Sequence, residues 1–321
     1  MHESNASTTK YVVGAYPASP AHSNWDPHLE REFFDTLSRD SRICALELPW
    51  LGSLHPHDDA WLIKNYPETF SAIITDIPFV MSRISQVNTY GLASRDKDGR
   101  RSALDDLHKL NDSIRKFNDS RQKRVVSVVE IHTAPRQIGE VNALATSLEE
   151  ITNWNWDGAS LVIEHCDAWV DGQQPEKGFL ALEEEIEAIR LSGAGVGIFI
   201  NWGRSAIELR DGDRVVEQIA MARESGLLSG LIFSGASDRD GIFGSAWIDA
   251  HHPFQRNERH VYGDPLSLLT ELRAESALKA AGDISVLGIK LSWLKSVEGS
   301  VQQRCQMISS ALDALDEVTS R

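Results

Sequence analysis

The chain has 321 residues, of which 41% are apolar, and its 47 acidic and 32 basic side chains give a net charge of −15 with histidine neutral. This length suits two ordinary domains or one large α/β barrel. The negative charge repels phosphate backbones and anionic lipids, so we expect neither nucleic acid nor a membrane surface as a partner. No apolar stretch approaches the roughly 18 residues that span a bilayer.

The amino terminus and the cysteines predict a cytoplasmic protein. Residues 1–10 are polar and lack the apolar core of a secretory signal. Cys44, Cys166 and Cys305 are an odd number without CxxC spacing, so neither a disulfide framework nor a zinc ribbon is expected.

Eight short, apolar, β-rich runs are predicted strands. They cover residues 11–16, 43–48, 71–77, 125–131, 160–165, 196–201, 230–234 and 286–291. Between or after them, helical apolar spacing is clearest at residues 180–191, 204–224, 265–281 and 301–318. Alternating apolar strands and amphipathic helices indicate a parallel sheet, and eight units predict a (β/α)₈ TIM barrel. An open doubly wound sheet is the alternative, although no glycine-rich phosphate loop follows the first strand.

We expect residues 1–321 to form a single barrel domain, because no proline-rich or Gly/Ser-rich linker divides the chain. The longest connection, residues 234–263, follows the seventh strand. Connections of this length in compact folds are usually functional or disordered. We predict that it covers the barrel mouth and contributes Trp247, His251 or His252 to a site.

Histidine and tryptophan concentrate at the predicted strand ends and in the loops that follow them, where TIM barrels carry their chemistry. These residues are His22, His28, His55, His57, His132, His165, His251, His252 and His260, with Trp25, Trp50, Trp169, Trp202, Trp247 and Trp293. Flat rings cover the C–H faces of a sugar while polar groups bind its hydroxyls. The alternative is that the rings only pack over the mouth. The concentration of so many of these residues at the strand ends and in the following loops favours a sugar site.

Carboxylates end two of the central strands. Strand four ends Val-Val-Glu-Ile-His, and period-two alternation places Glu130 and His132 on one face. Strand five ends Ile-Glu-His-Cys-Asp, with Glu164 inward and His165 on the opposite face. Because a carboxylate in an apolar strand is costly to bury unless paired or used, we predict Glu130 or Glu164 as the base, with His132 or His165 as a second acid or base. Alternatively, these carboxylates only anchor neighbouring loops.

The last strand ends Gly-Ile-Lys-Leu-Ser, which places Lys290 at the rim. Lys290 could pair with a glutamate, act as an electrophile or base, or form an imine. Further substrate-binding candidates are Glu47, Asp76, Asn201, Trp202, Arg204, Trp247, His251 and His252. Arg204 could instead anchor its own helix.

No cofactor is expected from the sequence, although a divalent metal is an open alternative. Glu, Asp and His are all present, and Mg²⁺ or Mn²⁺ would take oxygen ligands whereas Zn²⁺ would prefer histidines. There is no HExxH or comparable local signature, and adjacent side chains such as His251 and His252 normally point apart. No metal ligands are therefore assigned, although Glu130, His132 and Glu164 could form a three-ligand site.

The run IEHCDAW followed by PEKGFLALEEEI resembles a bacterial barrel family of unknown function, similar to the xylose-isomerase-like sugar isomerases and epimerases. In those enzymes a divalent metal is typically held by Glu, Asp, His and Glu at strands five to eight. Glu164 fits the first position, whereas Asn201, Ser234 and Lys290 replace the other three. The resemblance therefore implies the barrel fold and sugar chemistry with an altered site.

These observations predict a carbohydrate-active enzyme, a sugar isomerase, epimerase or lyase that moves a proton next to a carbonyl. Lys290 and Asn201 would stabilise the developing enolate oxygen. One alternative is a glycoside hydrolase using Glu130 and Glu164. The other is a catalytically inactive barrel that binds a sugar. The expected partner is a small sugar or sugar derivative, and a homo-oligomer is possible.

Overall fold

A computed structural model describes residues 9–22, 24–294 and 296–319. Eight parallel strands pair in chain order, and the first pairs with the last to close a barrel. The strands are β1 (Tyr11–Gly14), β2 (Ile43–Pro49), β3 (Ser71–Thr75), β4 (Val126–Ile131), β5 (Ser160–His165), β6 (Gly197–Asn201), β7 (Leu228–Phe233) and β8 (Val286–Lys290). This topology confirms the predicted TIM barrel and excludes the open sheet.

At least one helix follows each strand. The helices are α1 (Pro27–Leu37), α2 (Asp59–Asn65), α3 (Ile77–Ile84), α4 (Lys97–Arg121), α5 (Val141–Thr152), α6 (Leu182–Ser192), α7 (Trp202–Leu209), α8 (Val215–Glu224), α9 (Glu271–Ala281) and α10 (Val301–Thr319). Among the described residues, no helix is both long enough and apolar enough to cross a membrane.

Three predicted elements differ from the structure. The predicted helix over residues 204–224 is two helices, because Arg210 adopts the left-handed conformation that ends α7 and an Asp-Gly-Asp turn follows. The predicted helix over 265–281 begins only at Glu271, where the Thr270 hydroxyl accepts a hydrogen bond from the Arg273 amide. The third strand ends at Thr75, and Pro78 lies in the first turn of α3.

The barrel interior changes from apolar to polar along the strands. One inward layer is an apolar cluster of Val12, Ala45, Ile73, Val128, Val162, Phe199 and Ile232. Two residues further on, the inward positions are Gly14, Glu47, Thr75, Glu130, Glu164, Asn201 and Ser234, and Lys290 pairs with Gly14 across the closing strands. Because side chains alternate between faces, each strand contributes both to the core and to the mouth.

Gly14 makes room for a large side chain inside the barrel. A Cβ atom at this position would lie 2.7 Å from Cγ of Lys290 and 2.9 Å from its Cβ. The absence of a side chain on β1 therefore lets Lys290 extend across the interior.

The connection between β7 and α9 spans residues 234–270 and contains neither helix nor strand. Isolated bridges join Gly235 to His252 and Gln255 to Asp264, and Phe254 is buried in the main core. These contacts hold the connection against the barrel and bring part of it to the mouth.

Candidate active site

A fully buried group of polar side chains lies inside the mouth. This buried polar layer consists of Glu47, Glu130, Glu164, Asn201 and Lys290, each at most 1% exposed. The residues come from five strands and meet because all lie at the carboxyl ends of parallel strands. Every member was predicted from the sequence as a site residue.

Glu164 is held as an ion by three neighbouring side chains. Its Oε2 forms an ion pair with Nη1 of Arg204 at 2.6 Å and accepts a hydrogen bond from Nε2 of His132 at 3.0 Å. Its Oε1 accepts from Nδ2 of Asn201 at 3.1 Å. Burial opposes ionisation, but Arg204, Lys290 and His132 outweigh it and hold the pKa of Glu164 well below its usual range.

Both ring nitrogens of His132 face acceptors. Nδ1 lies 2.5 Å from Oδ1 of Asp76, and Nε2 donates to Glu164. Burial opposes the charged ring, but nearby Cys166, Asp76 and Glu164 together raise the pKa of His132 well above its ordinary value. His132 is therefore an imidazolium with no free nitrogen, which suits electrostatic stabilisation better than proton abstraction.

Lys290 crosses the interior to an acidic partner. Its Nζ donates to Oε1 of Glu47 at 2.5 Å and lies 5.1 Å from the ring centroid of Tyr16. Burial disfavours the ammonium, yet Glu47, Tyr16 and Glu164 raise the pKa of Lys290 well above its usual value. Lys290 is therefore charged, which disfavours imine formation because an amine must be neutral to attack a carbonyl.

Glu130 differs from its neighbours. It is completely buried, and within the described part of the chain neither carboxyl oxygen has a hydrogen-bond partner. Burial first, and then the charges of Glu164 and Glu47, raise the pKa of Glu130 well above its usual value. Glu130 therefore holds a proton while Glu164 does not.

A cavity of about 950 Å³ opens beside this layer. We call it the mouth cavity. It is lined by Tyr16, Pro17, Ser19, Pro20, His22, Asn24 and Leu29 after β1, by Phe243, Ala250 and His251 after β7, and by Ser292, Trp293, Leu294, Ser296, Val297, Glu298, Gly299, Ser300, Gln303 and Arg304 after β8. The buried glutamates do not line it. Tyr16, which contacts Lys290, therefore connects the mouth cavity to the buried polar layer.

His251 is the histidine of the long connection that reaches the mouth cavity. Its Nδ1 lies 3.0 Å from Oδ1 of Asp249 and 3.2 Å from Oγ of Ser234. Its backbone is left-handed, with φ of 51°, and its carbonyl accepts a hydrogen bond from the Ser292 amide. These contacts hold Nδ1 inward and leave Nε2 as the ring nitrogen available to a ligand.

Asp249 is itself fixed by two cations. Its Oδ2 accepts from Nε of Arg204 at 3.0 Å and from Nζ of Lys177 at 2.9 Å. Burial opposes ionisation, but His251, Lys177 and Arg204 hold the pKa of Asp249 well below its usual range. Burial lowers the pKa of His251 despite this carboxylate, so the imidazole is neutral at pH 7.

Four predicted site residues belong neither to the mouth cavity nor to the buried polar layer and its ion-pair and hydrogen-bond partners. His165 faces outward, with Nδ1 2.8 Å from Glu185 and Nε2 3.1 Å from Glu208, because it alternates with inward Glu164. The other three are Trp202, Trp247 and His252. Trp202 is buried in the core, Trp247 lies under the Arg210 guanidinium, and His252 pairs with Asp264 at 2.6 Å.

Other residues at the site were not predicted from the sequence. Tyr16 is the last residue of the first predicted strand and lies two residues beyond the end of β1, so its position was the available signal. Lys177 lies in the PEKGF segment, and Asp249 lies next to the predicted histidine pair. Their contacts join the loops after three different strands, which spacing along the chain does not reveal.

The donor set does not fit the four-ligand metal site of the sugar isomerases. Asn201, Ser234 and Lys290 occupy three of the four strand ends, and both oxygens of Glu164 already accept hydrogen bonds, from His132 and Asn201. Across residues 9–22, 24–294 and 296–319 no group of three or more His, Cys, Asp or Glu side chains could hold a metal ion. Arg204 and Lys290 place positive charge near Glu164.

Comparison with known proteins gives one family and several similar folds. The sequence profile described as "Domain of unknown function (DUF4862)" matches residues 12–307. The chain is 34% identical over 320 residues to the uncharacterized protein STM3670 of Salmonella typhimurium, covering 98% of this chain and 99% of the relative.

Similar solved structures are xylose-isomerase-like barrels. A D-tagatose 3-epimerase-like protein has a TM-score of 0.57 at 13% identity, covering 97% of this chain and 99% of its own. A xylose isomerase domain containing protein of Salmonella typhimurium LT2 has a TM-score of 0.59 at 10% identity, covering 97% and 98%. A D-psicose 3-epimerase crystallised with D-fructose has a TM-score of 0.51 at 11% identity, covering 89% and 91%. At these identities the similarity establishes the fold alone.

Proposed function

The chain belongs to the family described as Domain of unknown function (DUF4862), and we propose that it is an enzyme that moves a proton next to the carbonyl of a small sugar or sugar derivative. One observation carries this proposal. His251, a neutral histidine oriented by the ionised Asp249, lies in the wall of a large cavity at the catalytic end of the barrel.

His251 is the proposed base. With Nδ1 directed at Asp249 and Ser234, its Nε2 accepts the proton from the carbon beside the carbonyl. The C–H electron pair forms the carbon–carbon double bond of an enediolate, and the carbonyl oxygen takes the negative charge. Return of the proton to the former carbonyl carbon, with the hydroxyl proton passing to the former carbonyl oxygen, gives isomerisation, and delivery of a solvent proton to the opposite face of the original carbon gives epimerisation.

In this proposal the buried polar layer contributes electrostatic stabilisation to the reaction and does not provide the base. The lining does not include Glu130 or Glu164, which were predicted as bases, so we assign neither to direct proton abstraction. The phenol of Tyr16 lines the cavity, and burial raises its pKa, so it stays protonated and can donate to the developing oxyanion. Charged Lys290, 5.1 Å from the Tyr16 ring, strengthens that stabilisation.

The composition of the wall suits a polyhydroxylated ligand. Phe243 and Trp293 offer ring surface to C–H groups, and Asn24 and Ser292 offer polar groups to hydroxyls. A sugar substrate is also consistent with the sugar epimerase folds that the chain resembles.

Solvent exchange tests the proposal directly. The protein is incubated in D₂O with ketoses, ketose phosphates and keto sugar acids, and loss of the proton next to the carbonyl is followed by NMR. We expect exchange with a member of this panel, and His251→Gln should slow it by a factor of about 10²–10⁴, the usual contribution of a general base. Asp249→Asn should shift the pH profile of the exchange.

His260→Gln is the matched control. His260 lies in the same long connection and also contacts a carboxylate, Glu271 at 3.2 Å, but it does not line the mouth cavity. We expect exchange at the wild-type rate. Exchange that persists in His251→Gln would contradict the assigned base, and sugar binding without exchange would favour an inactive sugar-binding barrel.

A glycoside hydrolase is the second candidate, favoured by the opposite proton states of Glu130 and Glu164. Retaining glycosidases need one protonated and one ionised carboxyl group. Release of nitrophenol from aryl glycosides that is lost in both Glu130→Gln and Glu164→Gln would favour this reaction. Retention of solvent exchange in those variants would favour His251 chemistry.

A further inference from the structure

A second part of the mouth cavity wall carries a fixed positive charge. Arg304 lies in the first turn of α10 and is half-buried. Its Nη1 donates to the Ala18 carbonyl at 2.9 Å and its Nε donates to the Gly299 carbonyl at 3.1 Å. The guanidinium carbon lies 5.2 Å from the ring centroid of Trp293. These contacts fix the guanidinium plane against the wall.

No acidic side chain forms an ion pair with Arg304 in the described ranges of the chain. By contrast, Arg42, Arg259 and Arg273 each bind at least one carboxylate. Glu298 also lines the mouth cavity, yet no ion pair joins it to Arg304. Burial lowers the pKa of Arg304, and no neighbouring carboxylate opposes this effect.

An unpaired, partly desolvated cation is unfavourable in a chain with a net charge of −15, where acidic partners are abundant. Its remaining nitrogen, Nη2, has no hydrogen bond to any described residue, although Nε and Nη1 are both occupied. The guanidinium thus keeps one donor edge for a ligand in the mouth cavity.

The free hydrogen-bond donor does not come from the backbone at the start of α10. The Gln303 side chain accepts from the Ser300 amide at 2.9 Å, and the Ser300 hydroxyl accepts from the Gln303 amide at 3.2 Å. This reciprocal cap satisfies the Ser300 and Gln303 amides at the start of the helix. The open donor therefore belongs to the side chain.

We infer that Arg304 binds an oxyanion, a phosphate or carboxylate group, on the molecule that occupies the mouth cavity. Guanidinium groups bind both groups through charge-assisted hydrogen bonds. The inference rests on the proposed function only in identifying that molecule as the substrate, a sugar phosphate or sugar acid. His251 and Arg304 would then bind two ends of one molecule.

Anion binding is measured first, without any reaction. Titration calorimetry with inorganic phosphate, and separately with acetate, is performed on the wild-type protein and on Arg304→Gln. We expect saturable binding of at least one anion and at least a tenfold loss of affinity in the variant. Arg304→Lys, which keeps the charge but loses the planar donors, should bind with intermediate affinity.

Arg273→Gln and Glu298→Gln are the controls. Arg273 binds Asp213 outside the mouth cavity, so its variant should bind the anion as the wild type does. Glu298→Gln removes a negative charge from the cavity wall and should bind the anion at least as tightly as the wild type. Equal affinity in wild type and Arg304→Gln, or no saturable binding by wild type at tens of millimolar, would overturn the inference.

Solvent exchange separates this inference from the proposed function. With an anionic sugar, Arg304→Gln should raise KM at least tenfold while kcat changes little, because Arg304 contacts a non-reacting group. Preference for sugar phosphates over sugar acids identifies the anion. Arg304-dependent phosphate binding without exchange would contradict the proposed function alone. Exchange of neutral and anionic sugars that Arg304→Gln leaves unchanged would contradict the oxyanion inference alone.

Discussion

Replacement of Glu130 by methionine should stabilise the protein. The carboxyl group is completely buried, and within the described residues neither oxygen has a hydrogen-bond partner. A buried polar group without a partner costs about 1–3 kcal/mol. Methionine has a similar volume and no such group, so Glu130→Met should raise the free energy of unfolding by about 2 kcal/mol at the acid end of the pH range, where the folded and unfolded states both hold the proton.

The gain should depend on pH because burial raises the pKa of Glu130 well above its usual value. Below the ordinary carboxyl value of about 4.3, the folded and unfolded states both hold the proton. Above it, the unfolded chain releases a proton that the folded protein keeps. The wild-type protein therefore loses about 1.4 kcal/mol per pH unit from this group until the raised folded pKa is reached. Glu130→Met has no carboxyl group at this position, so its free energy of unfolding should not decrease with pH in this way.

Urea unfolding of both proteins between pH 4.5 and 8 measures the effect. The stability difference in favour of Glu130→Met should widen as pH rises. Glu185→Met is the matched control, because Glu185 is equally buried but accepts hydrogen bonds from Thr133 at 2.7 Å and from His165 at 2.8 Å. Its loss should cost about 3–5 kcal/mol. Destabilisation of Glu130→Met at pH 7, or a difference that does not vary with pH, would refute the reasoning.

Three further predictions follow from other contacts. Gly14→Ala should destabilise the protein by about 1–3 kcal/mol in thermal unfolding, because its Cβ would lie 2.7 Å from Cγ of Lys290. Gly195→Ala is the control and should have little effect, because a Cβ at Gly195 would have no atom within 4 Å. Equal stability of the two variants would contradict the steric argument. His165 lies between Glu185 and Glu208, which raise its pKa despite burial, so its stabilisation should be complete below about pH 6.5 and decline as pH rises through the folded value. Urea unfolding at pH 6 and 9 checks this, and His165→Gln should lack the decline. Chelation should leave solvent exchange unchanged, and elemental analysis should find no stoichiometric Mn²⁺, Mg²⁺ or Zn²⁺; a metal whose removal abolishes exchange would be the contrary result.

Strand alternation explains why the buried polar layer was predictable. Glu130 and Glu164 each stand two residues after an apolar inward position, so counting along the strands places them inside the mouth. The same count places His165 outward. Its assignment as a second acid or base could therefore have been rejected from the sequence, because a residue on the outer face of a barrel strand contacts helices.

The mouth cavity was not predictable in the same way. Tyr16, His251 and Arg304 come from segments that follow three different strands, and their meeting depends on loop conformations that periodicity does not encode. His251 has a positive φ, which is uncommon for a residue other than glycine, and it is stabilised by contacts with Asp249 and Ser292. Such contacts form only when distant loops fold together.

The break between α7 and α8 was in the sequence but obscured by periodicity. Helical apolar spacing continues across residues 204–224, while Asp211, Gly212 and Asp213 favour a turn. The break between α7 and α8 also has a structural consequence. It keeps α7 short and placed at the end of β6, where Arg204 binds both Glu164 and Asp249.

Arg204 joins the buried polar layer to the proposed base. Glu164 and Asp249 bind the same guanidinium, and Asp249 in turn orients His251. At 4 Å and an effective dielectric of about 20, two unit charges interact by about 4 kcal/mol, and a divalent cation at that distance from Arg204 or Lys290 would be repelled by about twice as much. The cations that stabilise these carboxylates therefore disfavour a metal beside them. The acid–base chemistry we propose accordingly depends on side chains, with His251 as the base and Tyr16 as the donor to the oxyanion.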